Sequence, residues 1–459
     1  MRKKTFYVLL AVCLCGQLLS SCGEDRTWQY YEKIQTKTWM YDVMQKNYLF
    51  YDDMPLSEEL DFFNKPEDFL RRTVSDKDGK NGVIFSHVDS VYSASRASAP
   101  HPSFGFTGAM VRVDGHNAIR VLYVQKESPA TDMGLKRGDW IIAVDSIAIG
   151  SNDYAKYVSH PLKAHEFMMG SIGKEGFDTL GVIQTPAPRL VENENILERH
   201  IVKSGSRLAY YVMYNEFGKD MEAWDKVFAD MANQVFDDVI IDLRYNPGGY
   251  VSTAQKICTN LVPAEAVDNN IFLRMLPNSE LGLKEIELNF DRKMLTNGHP
   301  IQYDNLYVIT TGNSASASEA LINSLRPYMK GKLLQVGSNT FGKNVSQQKY
   351  TDEKLAPLLE LWLTTYYVTN SEGFMDYFDH GLEPDYMQPE SFVDKLGELG
   401  TEQDLMMMPV LYHMANGVFP IVEPEGKPEA ASRSIKARNV VEVYSPFSQQ
   451  NKAFRMDVK

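Results

Sequence analysis

A unit that occurs twice constrains this chain most: an apolar run, a turn of small residues, then a helix. In the first copy, Val239-Ile240-Ile241-Asp242-Leu243-Arg244 is a near-continuous apolar strand of the kind that sheets bury on both faces. Tyr245-Asn246-Pro247-Gly248-Gly249 turns it, and Ser252 to Leu261 reads as a helix. In the second copy, Leu306-Tyr307-Val308-Ile309-Thr310 leads through Gly312-Asn313-Ser314 to a helix from about Ser316 to Leu325. Leu333-Leu334-Gln335-Val336 supplies a further strand. Strands alternating with helices predict an α/β body over residues 195–390.

The chain has 459 residues, which suggests about three domains at roughly 150 residues each. Residues 22–97 read as a helical domain. There Trp39, Met40, Val43, Met44 and Tyr48 recur at three- and four-residue steps, and a second helix is expected from Pro66, with Glu67 and Asp68 in its first turn. Residues 98–190 change to short apolar runs broken by glycine. Within them, Ser128-Pro129-Ala130-Thr131-Asp132-Met133-Gly134-Leu135-Lys136-Arg137-Gly138-Asp139-Trp140-Ile141-Ile142-Ala143-Val144-Asp145 closely resembles a PDZ domain. That family's usual glycine after the strand is Ser146 here. Phe104-Gly105-Phe106 stands where PDZ domains keep a carboxylate-binding loop, so these three residues are expected to bind a peptide end. Residues 391–459 read as a C-terminal extension, with a helix near Glu402 to Met414 and a polar tail.

Residues 1–21 read as an export signal: Arg2, Lys3 and Lys4, an apolar run, then Leu19-Ser20-Ser21-Cys22. The last four resemble a bacterial lipobox, which implies lipidation at Cys22 and a membrane anchor in the bacterial cell envelope. Of four cysteines, only Cys258 remains outside this segment. It cannot pair internally, and a small buried apolar role is expected. The formal net charge of −13 argues against nucleic acid as a partner.

The chemistry is concentrated in Gly312-Asn313-Ser314-Ala315-Ser316-Ala317-Ser318-Glu319 and Thr340-Phe341-Gly342-Lys343. A serine attacks an amide only after a base takes its proton, and no histidine lies between the two segments. Lysine can be that base if it is held neutral. Desolvation from ~10.4 to about 7 would cost about 4–5 kcal/mol. Small residues around Ser316 are expected to keep it open to a peptide, and its helix start offers free N–H groups to an oxyanion. Read singly, Ser316-Ala317-Ser318-Glu319 is also an ordinary capping box, and Lys343 an ordinary surface lysine.

Taken in order, the helical cap, the PDZ-like segment, Asn246-Pro247-Gly248-Gly249, the serine turn and Thr340-Phe341-Gly342-Lys343 resemble the C-terminal processing (tail-specific) serine peptidases. Similarity is nearest to exported lipoprotein members of Bacteroides-type bacteria. The resemblance implies a crotonase-like core, Ser316 as nucleophile, Lys343 as base, and Gln347 to orient the base. It also implies an oxyanion hole from the Ala317 amide and an amide of Gly248 or Gly249. Neither a metal nor another cofactor is implied, and the expected partners are protein or peptide substrates. The serine–lysine spacing is longer than usual through Tyr328 to Lys332, expected to be a surface segment, and Asn344 replaces a common glycine. An inactive PDZ-bearing lipoprotein that binds peptide tails is the alternative.

Overall fold

The computed structural model describes residues 27–90, 101–421, 440–444 and 454–455, except positions 175, 193, 220 and 269. The expected signal peptide (1–21) and Cys22 lie outside the described residues.

Helix α1 (Thr27–Asn47) buries Trp39, Met40, Tyr41 and Met44, as the stepwise apolar pattern predicts. Helix α2 (Pro66–Thr73) opens on Pro66, with Glu67 and Asp68 in its first turn and Arg71 and Arg72 in its last. These charges complement the helix dipole. The domain is not helical throughout, however. Gly79–Lys80 pairs with Val83–Ile84, and the Asn81-Gly82 turn between them has φ of 53° and 78°. Both residues sit in the left-handed region that tight hairpins require, so the Asn-Gly signal outweighed helix continuation. Strand β1 (His87–Ser90) follows and joins a sheet of the core.

Strands β2 (Phe106–Val113) and β3 (His116–Val124), helix α3 (Pro129–Asp132), and strands β4 (Trp140–Val144), β5 (Glu166–Ile172) and β6 (Phe177–Gln184) build the second domain. Its sheet runs β6-β5-β4-β3-β2. The Ser128 hydroxyl accepts the Thr131 N–H at 3.3 Å and so caps α3, as its Ser-Pro-Ala start predicts. Asp145 and Ser146 take φ of 52° and 60°, so serine holds the turn where glycine is usual.

The core continues through β7 (Ile196–Ser204), β8 (Arg207–Tyr214), α4 (Glu222–Met231), β9 (Asp238–Asp242), α5 (Val251–Leu261), β10 (Ile271–Pro277), β11 (Ile286–Asn289), β12 (Asn305–Thr310), α6 (Ala317–Leu325), β13 (Leu333–Gly337), β14 (Val345–Asp352), β15 (Ala356–Thr369) and β16 (Tyr386–Met387). Its main sheet is ordered β7-β8-β9-β12-β13-β16, antiparallel at β7-β8 and parallel thereafter. Trp224, Phe228, Ile257 and Leu321 of α4, α5 and α6 share one cluster with Val239, Ile241 and Val308 of the sheet. On the opposite face Ile240, Tyr307 and Ile309 meet Val111 and Trp140 of the second domain and Met407 and Val410 of α7 (Met407–Asn416). Both faces are dry, which explains the unbroken apolar runs. Each such aliphatic side chain contributes about 1.5–3 kcal/mol on full burial. A second sheet joins β14, β15, β10 and β11, with β1 on the far edge of β15.

Candidate active site

Strands β9 and β12 are adjacent and parallel, so the turns that follow them leave the sheet side by side at its carboxyl end, where α/β sheets place their ligands. Asn246 knits the turns together. Its carbonyl accepts from Ala315 N–H at 3.1 Å and from the Ser318 hydroxyl at 3.0 Å. Its side chain donates to Tyr214 O at 3.0 Å and accepts Gly248 N–H at 2.9 Å. A Cβ on Gly248 would lie 2.7 Å from Ser316 Cβ and 3.0 Å from Ala317 N. Only glycine allows that approach, and φ of 109° demands it as well. Gly249 presses instead on Phe217, whose carbonyl would be 2.2 Å from an added Cβ.

Ser316 stands immediately before α6 with φ 62° and ψ −111°, a conformation that costs a non-glycine residue about 1–3 kcal/mol. The capping box is only half formed. Glu319 accepts the Ser316 N–H at 2.7 Å, but the Ser316 hydroxyl is buried and makes no hydrogen bond. The openness expected around it is absent: Ser316 is 1 % exposed. Ala315 and Ala317 are small, yet both are fully packed.

Glu319 joins the serine turn to the lysine loop. The Oε2 that takes Ser316 N–H also takes Lys343 N–H at 2.8 Å, while Oε1 accepts from Gly342 N–H at 2.5 Å and the Thr340 hydroxyl at 2.6 Å. Burial raises this carboxyl above its ordinary pKa, and the donors act against that rise. Gly342 has φ 95°, and an added Cβ would strike Phe378 O at 2.3 Å and Tyr377 O at 2.7 Å. Lys343 is buried, not a surface lysine. Its amine donates to Gln347 Oε1 at 2.8 Å and lies 4.8 Å from the centre of the Phe85 ring.

Behind Gln347 a polar chain leads into the N-terminal domain. Gln347 Nε2 donates to Thr364 Oγ1 at 3.2 Å, Thr364 to Asp78 Oδ1 at 2.6 Å, and the Tyr48 hydroxyl to Asp78 Oδ2 at 3.0 Å. Burial pushes the Asp78 carboxyl up to about 6, although hydrogen bonds from Ser86, Thr364 and Tyr48 and the Lys343 charge pull the other way. Neither Asp78 nor the cross-loop reach of Glu319 was expected from sequence. The Ser-x-x-Glu spacing was the available signal for the second, and the first had none.

Three expectations need correction. Phe104 and Phe106 are buried in the core of their domain, with Phe104 edge-on to Phe167 at 5.5 Å between ring centres. With Val443 from the end of the chain packed against the same cluster, they leave no open pocket in this structure; Gly105, φ 77°, is the part of the loop with special backbone. The Gly248 amide is engaged by Asn246 and would have to leave that acceptor to face an oxyanion. Within the spacing insertion, Met329 is buried and packs on the core, with Tyr328 against it, so the segment is not simply a surface bulge. Asn344 keeps an ordinary backbone and donates to Met375 O at 2.8 Å.

Residues 209–387 match peptidase family S41, residues 35–93 the S41 N-terminal domain, and residues 120–161 a PDZ domain. The chain belongs to peptidase family S41. This S41 chain is 26 % identical over 258 residues to the carboxy-terminal processing protease CtpB of Bacillus subtilis, covering 54 % of the chain and 48 % of that protein. It is 24 % identical over 345 residues to carboxyl-terminal-processing peptidase 3, chloroplastic, of Arabidopsis thaliana, covering 71 % of the chain and 58 % of that protein. The chain thus spans about half the length of these curated relatives. A crystal structure of a putative S41 protease from Bacteroides fragilis superposes with a TM-score of 0.70 at 27 % identity, covering 83 % of this chain and 97 % of that one.

In this S41 member the PDZ domain is tied to the peptidase core through buried charge. Arg244 is fully buried and donates to Asp242 Oδ2 at 2.6 Å, Asp404 Oδ2 at 2.5 Å and Glu390 Oε1 at 3.0 Å. Arg137, from the Lys-Arg-Gly-Asp turn of the PDZ domain, reaches Glu390 at 2.5 Å and the Tyr245 hydroxyl at 2.8 Å. Burial alone would raise the Glu390 carboxyl, but Arg137 and Arg244 hold it down at about 2.

Proposed function

We propose that this chain is a serine endopeptidase of the C-terminal processing type that cleaves protein or peptide substrates through Ser316 and Lys343. The observation that carries the reading is the single Glu319 oxygen shared by the Ser316 and Lys343 amides. It pins nucleophile and base to one point although they come from different motifs. In the proposed cycle, neutral Lys343 takes the Ser316 proton as Oγ bonds to the substrate carbonyl carbon. The proton then passes to the leaving amine as the C–N bond breaks. Water repeats the exchange on the acyl-enzyme and frees the serine. Ala317 N–H, at the start of α6, and one amide of Gly248 or Gly249 would face the oxyanion. Gln347 orients the amine.

In this structure the Ser316 hydroxyl is unbonded, so the proton-transfer contact forms only on substrate binding or a small shift of the loop. The PDZ domain would engage the substrate's C-terminal part. Lipidation of Cys22 would hold the enzyme in the bacterial cell envelope; among the described residues no helix is long and apolar enough to cross a membrane. The test is cleavage of an unfolded protein by wild type, Ser316→Ala and Lys343→Ala. Both variants should lose activity to a similar extent, because the pair acts as a unit. Retained cleavage by Ser316→Ala rejects the assignment. Failure of a serine-directed acylating reagent to label Ser316 in the wild type would favour the peptide-binding lipoprotein.

A further inference from the structure

The end of this chain is paired in two places where an extended peptide would lie. Strand β17 (Val440–Tyr444) adds antiparallel to β2 at the edge of the PDZ sheet, with Val440 opposite Val113, Glu442 opposite Val111 and Tyr444 opposite Met110. It therefore runs toward the Phe104-Gly105-Phe106 loop, the sense in which an added peptide strand would bring its later residues to that loop. Val443 lies against the cluster that holds Phe104, Phe106, Tyr154 and Tyr157. Strand β18 (Phe454–Arg455) runs parallel to Gly249–Tyr250 on one side, pairing Phe454 with Gly249 and Arg455 with Tyr250. On its other side Arg455 pairs with Gln347 of β14. That lane is bounded by the glycine turn and by the strand that follows Lys343, and β18 completes the second sheet across it.

We propose that the C-terminal tail is an intramolecular competitor for peptide, with one segment on the PDZ edge and a second in the cleft beside Gly249 and Gln347. Main-chain pairing gives such a strand affinity without demanding a particular sequence, which suits a ligand that must yield to many peptides. Tethering supplies the rest. An attached segment acts at an effective concentration in the millimolar range, so weak intrinsic binding suffices to keep the lane filled. The spacer from Tyr444 to Phe454 can reach about 35 Å when extended. The consequence for cleavage rests on the peptidase reading, whereas the occupancy itself does not.

The test uses the full chain. Val441→Pro with Val443→Pro breaks the pairing on β2, and Phe454→Pro with Arg455→Pro breaks it in the cleft, because proline cannot donate to a ladder. A fluorescent synthetic peptide of residues 438–456 is titrated into the Ser316→Ala chain with an intact tail or with all four prolines. The peptide should bind the proline form roughly tenfold more tightly, since the tethered competitor is gone. In chains that keep Ser316, the proline form should cleave a dilute unfolded protein roughly tenfold faster, through a lower apparent KM with little change in kcat. Equal peptide affinity for the two forms, or none for either, overturns the proposal. Absence of Ser316-dependent cleavage in every form would end the peptidase reading, and the titration would still decide the tail.

Discussion

Replacing Glu319 by glutamine tests whether one carboxylate holds the serine turn and the lysine loop together. Four donors converge on it: two backbone amides on Oε2, and one amide and a hydroxyl on Oε1. Glutamine keeps one oxygen and turns an NH2 toward one of these pairs. The Oε1 pair is the cheaper side to lose, because Thr340 also accepts Leu382 N–H at 2.7 Å and its hydroxyl can rotate. Gly342 N–H cannot rotate and is left facing another donor. Losing charge-assisted bonds to a buried carboxylate costs about 1.5–3 kcal/mol each, so Glu319→Gln should lose about 3–5 kcal/mol. That is a large share of the roughly 5–15 kcal/mol by which a domain is stable, yet short of unfolding it. Gly342 precedes Lys343, so the loop that delivers the amine shifts as well. A displacement near 1 Å is worth about 10²-fold in rate. The assay pairs urea unfolding with cleavage of an unfolded protein. Stability within ~0.5 kcal/mol of wild type together with undiminished cleavage would show that the clamp holds nothing.

Asp78→Asn should change how stability depends on pH. The folded-state pKa is raised, to about 6 from 3.8, so the protonated carboxyl is favoured in the fold, and that stability is lost as pH rises through 6. By linkage, wild type should lose about 3 kcal/mol relative to Asp78→Asn between pH 3 and pH 7.5, read as the difference in urea unfolding free energies; parallel pH profiles would exclude it. Ser316→Gly should abolish cleavage while raising stability by about 1 kcal/mol, because φ 62° costs glycine nothing; a lower Tm than wild type would contradict the strain. Asp404→Ala leaves buried Arg244 short of a partner and should cost about 3–5 kcal/mol in urea unfolding; a loss below ~1 kcal/mol would show water reaching the cluster.

Local chemistry was legible and long-range chemistry was not. The parallel strands showed as Val239–Leu243 and Leu306–Thr310 because both sheet faces are covered, and burial on two sides writes an unbroken apolar run. The glycines at 248 and 342 were visible, and their necessity follows from contacts measured only in space. By contrast, Asp78 lies far upstream of Gln347 and meets it through Thr364. No spacing rule connects residues brought together by different domains. His87–Ser90 is too short and polar to announce a strand and exists because β15 offers it an edge. The state of the aromatic pair at Phe104 and Phe106 was hidden for a similar reason: a glycine loop flanked by aromatics reads alike whether the rings lie open or are covered, as they are here with Val443 against them.

The Arg137–Glu390–Arg244–Asp404 cluster has a bearing on how this molecule can move. An ion shielded from water by its neighbours is most expensive when half separated, with its partner gone and solvent not yet admitted. Rocking of the PDZ domain by small degrees is thus penalised at the outset. Together with the apolar interface of Val111 and Trp140 on Ile240, Tyr307 and Ile309, the cluster should hold the domain in the one orientation seen here.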